Sequence, residues 1–349
     1  MKRMFILVAI VSLVAGSLFA EEAVLIDFSK LAADISVNDQ PENRQTLMDF
    51  SDKAGGSFTA EQRAMLRTSL APANWVVSLA SSARTVENQR NSKAQESTSK
   101  QYGSVLGVRI HFPVEPHNSW ASIKPPFEIP AYELSTVDEA GEVTLPPEEE
   151  RLYTNVSRFE GTKEEGDSAL QTAFGVVKNV GTIKSVAVNV YGLNFPHRLA
   201  AILIDSEGNE KIIDLGYLNH DGWGEHVWNN PAYVQEVRSR ELRLYPLYPI
   251  LTPFVKFGGF LIQRDAATVG GDFVVYFKDV KIVYDKAVRE LESDIDDEKE
   301  WSIIQARDAG KDKAGLQRFG QNQVLQYVDK QKQATEPFFD DPSRRNNNE

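Results

Sequence analysis

Apolar and polar positions alternate strictly along Ser185–Tyr191 (SVAVNVY), with Val186, Val188 and Val190 on one face and Ala187 and Asn189 on the other. Asp272–Tyr284 (DFVVYFKDVKIVY) repeats the pattern through Phe273, Val275 and Phe277, then Val280, Ile282 and Tyr284. Successive side chains leave a strand on opposite faces, so a period of two predicts strands with one buried face. Val105–Phe112 alternates likewise, with Val108, Ile110 and Phe112 inward. Further strands are predicted in the AVLIDF run after Glu22, at Asn74–Leu79, Leu152–Val156, Ala169–Val177, Leu199–Asp205, Lys211–Leu215, Glu241–Tyr245 and Val255–Ile262. Ser206-Glu207-Gly208-Asn209 reads as a hairpin turn between two of them. Many short strands with turn-rich connections predict a mainly β fold, a jelly-roll-like β-sandwich over residues 21–285.

A few segments break the pattern. Thr59 with Gln62 three residues on is a capping box before a short helix around Glu61–Ser69. Val86–Gln101 (VENQRNSKAQESTSKQ) is almost free of apolar residues and is expected to be a long polar loop. Leu215–Val234 is aromatic and rich in Gly and Asn, and reads as a loop that displays a surface. From Lys286 the spacing becomes helical: Val288, Leu291 and Ile295, then Leu316, Phe319, Val324 and Val328, lie among charged residues. Residues 286–332 are therefore expected to be amphipathic helices that pack on the sandwich or grip a neighbouring subunit. Residues 333–349 are expected to be a disordered tail.

The start of the chain sets a compartment. Lys2 and Arg3, an apolar run from Met4 to Ala15 and a small residue before Glu21-Glu22 make a Sec signal peptide over residues 1–20, cleaved between Ala20 and Glu21. A retained membrane anchor is the competing reading. The run is short for a span, and no later segment approaches the roughly 18 apolar residues a membrane helix needs. Export is thus expected, with no stable membrane insertion once the signal is removed. The chain has no cysteine, which rules out lipoprotein processing and disulfides, so stability must come from an ordinary core. Its formal charge is −12, and loss of Lys2 and Arg3 makes the mature chain more acidic still. That surface disfavours nucleic acid and anionic lipid.

Candidate chemistry is sparse. None of the five histidines forms a zinc-protease motif, although His220, Asp221, Glu225 and His226 cluster in one segment. A metal there is one reading; polar residues beside aromatic ones is the simpler one. Gly166-Asp167-Ser168 is similar to the nucleophile block of GDSL-type hydrolases, but the late D-x-x-H they require is missing. No phosphate-cradling glycine loop occurs, so the Gly258-Gly259 and Gly270-Gly271 pairs read as bulges or turns. Acidic runs at Glu148–Glu150 and Asp294–Glu300 lack the pattern of a calcium loop. No catalytic residue, metal ligand or cofactor is assigned. Tyr217, Trp223, Trp228 and Tyr233 stand out as an aromatic set. They form either a contact with the core or a neighbouring subunit or a sugar-stacking platform, since aromatic rings dominate cores and interfaces and also stack on pyranose faces.

Four blocks taken in order carry a family resemblance: Val105–Pro113 (VLGVRIHFP), Ile123–Tyr132 (IKPPFEIPAY), Ile213–Pro231 (IDLGYLNHDGWGEHVWNNP) and Phe254–Asp285. Together they resemble the filament outer layer (sheath) proteins of spirochaete periplasmic flagella, over nearly the whole mature chain. The resemblance implies a galactose-binding-like jelly roll without enzymatic activity. It also implies Sec export to the periplasmic flagellum, partnership with a core of flagellins and with other copies of itself, and a part in filament stiffness and motility. A periplasmic carbohydrate-binding module is the alternative that the same sandwich and tryptophans would serve.

Overall fold

The computed structural model describes residues 21–49, 51, 58–64, 66–129, 136–137, 143–144, 174–178, 180–205, 208–233 and 254–286, with isolated helical positions between 301 and 328. In chain order the elements are β1 (Glu21–Asp27), β2 (Ile35–Val37), β3 (Gln40–Glu42), β4 (Met48–Asp49), α1 (Ala60–Ala64), β5 (Arg67–Thr68), β6 (Val76–Leu79), α2 (Val86–Asn91), β7 (Lys93–Ser99), β8 (Gly103–Phe112) and β9 (Ser119–Lys124). They continue with β10 (Thr136–Val137), β11 (Val143–Thr144), β12 (Val176–Lys178), β13 (Val180–Leu193), β14 (Arg198–Ile204), β15 (Glu210–Tyr217), β16 (Asp221–Asn229), β17 (Phe254–Arg264) and β18 (Gly271–Lys286).

Two six-stranded sheets make a sandwich. The first runs β16-β13-β18-β8-β7, with β1 also on β18; the second runs β15-β14-β17-β9-β6, with β12 also on β17. Every pairing is antiparallel. Each sheet is built around one long strand with three partners. Thus β18 pairs β13 along one edge, while its other edge pairs β8 from Gly271 to Phe277 and β1 from Asp279 to Tyr284. In the second sheet β17 pairs β14 on one side and β12 and then β9 on the other.

The alternating residues fill the core between the sheets. Val186, Val188 and Val190 of β13, Val108, Ile110 and Phe112 of β8, and all six predicted residues of β18 are buried. They face Leu199, Ala201 and Leu203 of β14 and Phe257, Phe260 and Ile262 of β17 within one apolar cluster. Phe260 and Phe277 stack across the two sheets with ring centroids 3.9 Å apart. The inward set of β18 changes from odd to even numbers because of a bulge: Asn189 pairs Asp279, but Val190 pairs Phe277, leaving Lys278 unpaired. One extra residue restores the face that the chain would otherwise lose after Phe277.

Local signals are realised as hydrogen bonds. The Thr59 amide donates to Gln62 Oε1 at 2.9 Å and the Gln62 amide to Thr59 Oγ1 at 3.2 Å, a reciprocal cap on α1. The turn after β14 closes when the Gly208 amide donates to the Asp205 carbonyl and the Asn209 amide to Asp205 Oδ1, and β15 then pairs β14. Gly258 lies in a bulge of β17, opposite the step from Ile202 to Leu203.

Two loop expectations are corrected. Val86–Gln101 is not a long polar loop: it holds α2, capped by the Thr85 side chain, and β7, which pairs residue by residue with β8. An edge strand can be this polar because only one of its faces meets a core, and of β7 only Ala94 joins the core cluster. Leu215–Val234 is likewise mostly strand, the end of β15 and all of β16. The strands expected at Leu152–Val156 and Glu241–Tyr245, the helices of residues 286–332 beyond isolated positions, and the tail lie outside the described residues.

Arg264 clasps one end of the sandwich. Only 1% exposed, it donates through Nη1 to the Pro113 carbonyl at 2.6 Å, through Nη2 to the Glu115 carbonyl at 3.0 Å, and through Nε and Nη2 to the Thr268 carbonyl. The planar fork thereby ties the β8–β9 connection to the β17–β18 turn. Gly270 is required beside it, since a Cβ there would lie 1.8 Å from the Pro113 oxygen. Arg264→Leu leaves these carbonyls without a donor and is expected to cost about 3 kcal/mol of stability. Urea denaturation measures it; a loss below about 1 kcal/mol would show the clasp to be ornamental.

Candidate functional site

The sequence-predicted aromatic set does not form one surface. Trp223 and Trp228 lie on the same strand with opposite parity. Trp228 pairs Val186 and packs partly buried against the core, whereas Trp223 pairs Tyr191 on the outer face. Tyr217 belongs to the second sheet, where its hydroxyl donates to Asp265 Oδ2 at 2.9 Å and the Arg198 guanidinium sits 5.8 Å from its ring centre. Tyr233 follows β16, with Lys184 Nζ 5.0 Å from its ring centre. Burial disfavours the Lys184 ammonium, but its pairing with Asp285 at 2.7 Å outweighs this and raises its pKa. Glu21 lies in β1 opposite Tyr284, and Ala20 lies outside the described residues.

A different aromatic group is assembled on the outer face of the first sheet. Trp223, Tyr191 and Tyr276 occupy matched positions on β16, β13 and β18, and the same row continues to Gly107 of β8 and Gln95 of β7. Tyr191 meets Trp223 at 5.4 Å and Tyr276 at 6.0 Å between ring centres, both close to perpendicular. Tyr102, in the β7–β8 turn, folds over the row and meets Trp223 edge-on at 4.9 Å. Gly107 makes room for the Tyr276 ring: a Cβ there would lie 3.2 Å from it and closer still to Ser97 Oγ. Above the rings is an open groove of about 440 Å³, lined also by Ser97, Ser99, Lys100 and Gln101. Lys278, at the bulge, lies 5.2 Å from the Tyr102 ring centre and pairs with Asp279, which also accepts from Asn189 Nδ2 at 3.0 Å. Sequence reasoning missed Tyr191, Tyr276 and Tyr102. The available signal was parity, because Tyr191 and Tyr276 fall on the polar phase of strands whose other phase is core.

The outer face of the second sheet is different in kind. Trp120, Gln263, Arg198 and Tyr217 form one row across β9, β17, β14 and β15. Ala200, Ile202 and Leu261 make a small buried cluster beyond that row, separate from the main core. Trp120 (46% exposed), Tyr217 (44%) and Ile212 (60%) are large apolar side chains left open around it. Paired charges flank them. Arg198 grips both oxygens of Asp214 through Nε and Nη2, which holds the Asp214 carboxyl below its usual pKa, and Lys124 meets Glu210 at 2.9 Å.

The histidine cluster resolves into packing. His226 contacts the Leu215 carbonyl through Nδ1 at 3.0 Å and His220 through Nε2 at 3.4 Å, and burial lowers its pKa. Among the described residues no group of three or more His, Asp or Glu is placed to hold a metal ion. The Gly166–Ser168 block and both acidic runs lie outside the described residues. His197 is the most perturbed histidine. Buried against Phe112 and Phe273, it is pushed down to about 4 by desolvation first and by the charge of Arg264 second. In the unfolded chain it titrates near 6.5. Its contribution is therefore fully present above pH 6.5 and is lost as pH falls from 6.5 towards 4, at most about 3 kcal/mol. His197→Phe is expected to lose less stability than the parent between pH 7.5 and 4.5 in urea denaturation. Equal losses would refute this role.

A family model described as flagellar filament outer layer protein Flaa matches residues 39–293. The chain is 46% identical over 349 residues to a flagellar filament outer layer protein of Treponema pallidum, covering 97% of this chain and 96% of that one. It is 42% identical over 347 residues to one of Spirochaeta aurantia, with the same coverages. Among solved structures, TmCBM61 in complex with beta-1,4-galactotriose is similar over 60% of this chain and 88% of that one, at 10% identity and a TM-score of 0.26.

Proposed function

This chain belongs to the flagellar filament outer layer protein family, and we propose that it is a structural protein of the filament's coat, laid as repeated copies over a flagellin core. Near-full-length identity to filament outer layer proteins carries this reading. The fold agrees with it, since a sandwich with two broad outer faces offers the repeated heterologous contacts from which a helical layer is built. Two antiparallel six-stranded sheets support the finer description as a galactose-binding-like jelly roll. The helical spacing of apolar residues along 286–332 supports amphipathic helices there as a further contact between subunits. No helix among the described residues is long and apolar enough to cross a membrane. Export by a signal peptide cleaved at Ala20–Glu21 would place the coat on the periplasmic flagellum.

The face that meets the filament is the outer surface of the second sheet. Its support is the exposed apolar set Trp120, Ile212 and Tyr217, flanked by charge pairs that would face water. A layer bound on that face thickens the filament and raises its bending stiffness, which is its contribution to motility. Replacing Trp120 and Ile212 together with Ser is expected to leave the fold intact. Incorporation into filaments isolated from cells carrying only the variant should fall several-fold, read as the ratio of coat protein to flagellin. An unchanged ratio in a folded variant would overturn this placement.

A further inference from the structure

We propose that the groove on the outer face of the first sheet binds a neutral oligosaccharide, with Trp223, Tyr191 and Tyr276 as its aromatic bed. The arrangement is a built row, because three rings sit in register on three neighbouring strands. Strands lie ~4.8 Å apart, so the rings extend over about 10 Å, enough for two linked sugar rings. Each ring is only partly covered although it lies on the solvent side of its sheet. Where the fourth member of the row would be, Gly107 lets the Tyr276 ring and Ser97 close in over the strand, which holds that ring in place beside the groove.

The lining selects the ligand class. Aromatic faces attract the C–H face of a pyranose as they attract other apolar surfaces, and perpendicular neighbours supply walls as well as a floor. Around them Ser97, Ser99 and Gln101 present hydroxyl and amide groups, and Gln101 is already held with its Nε2 donating to the Tyr102 hydroxyl at 2.9 Å. Lys278 and Asp279 beside the rings are spent on each other, and among the described residues that line the groove Lys100 is the one cation, at the exposed rim. An anion would find little to neutralise it, and a purely apolar ligand would leave the hydroxyls unpaired. A molecule with an apolar face and a polar edge satisfies both. The volume falls within the range of small-ligand sites. This face is opposite the one assigned to the filament, so a coat subunit could hold a glycan while in place.

The test is calorimetric titration of the folded mature chain with short gluco-, galacto- and N-acetylglucosamine oligosaccharides. Saturable binding of at least one probe with a Kd of about 1 mM or tighter is expected. Trp223→Ala and Tyr276→Ala should each weaken it at least about ten-fold, equivalent to 1.4 kcal/mol. Trp223→Phe should retain binding, as should Trp120→Ala on the other sheet. Gln101→Ala, at an exposed position, should weaken it several-fold and keeps the test open if a ring variant fails to fold. No saturable binding to any probe would overturn the proposal, as would binding that survives the Trp223, Tyr276 and Gln101 replacements.

Discussion

The bulge at Lys278 is the constraint from which much of this molecule follows. A strand of sixteen residues must bury a face along its whole length while changing partners on one edge from β8 to β1. Inserting Lys278 shifts the phase at the changeover, so that Phe273, Val275 and Phe277 and then Val280, Ile282 and Tyr284 all face one core. A slip of one residue would send either set to solvent. The insertion also places Lys278 and the buried Asp279 consecutively on the outer side, where they neutralise each other. Below the bulge, the register it sets aligns Tyr276 with Tyr191 and hence with Trp223. Core, charge pair and surface row share one cause.

The sheet framework was legible because burial on one side imposes a period that no other element shows. Even the phase change within β18 could be read from the order of its Phe, Val and Ile residues. What stayed hidden was pairing. β7 carries one core residue and otherwise faces water, so its composition is that of a loop, and only its ladder to β8 makes it a strand. β16 was obscured by Gly222 and Gly224 among its aromatic residues. Gly224 is there because the His220 ring lies against it: a Cβ would come within 2.9 Å of His220 Nε2. Trp223 and Trp228 were grouped by nearness along the chain, yet five residues along a strand is an odd step and puts them on opposite faces. Arg264 carries no local signal at all, since its partners are carbonyls about 150 positions earlier and one in the following turn.

The two proposed roles fall to different outer faces. One offers Trp120, Ile212 and Tyr217 among paired charges and suits a repeated contact with protein. The other presents aromatic rings beneath hydroxyl and amide groups in an open groove. The core holds both faces rigid, with the Phe260–Phe277 stack and the Arg264 clasp joining parts that lie far apart in sequence. In a filament layer, geometry repeated from subunit to subunit matters more than any single contact energy.

The most direct test of membership in the filament layer is immunogold electron microscopy of filaments purified from the source organism, using antibody to the folded chain. Regular labelling along the length of the filament is the predicted result. Label confined to soluble material, with bare filaments, would contradict the account.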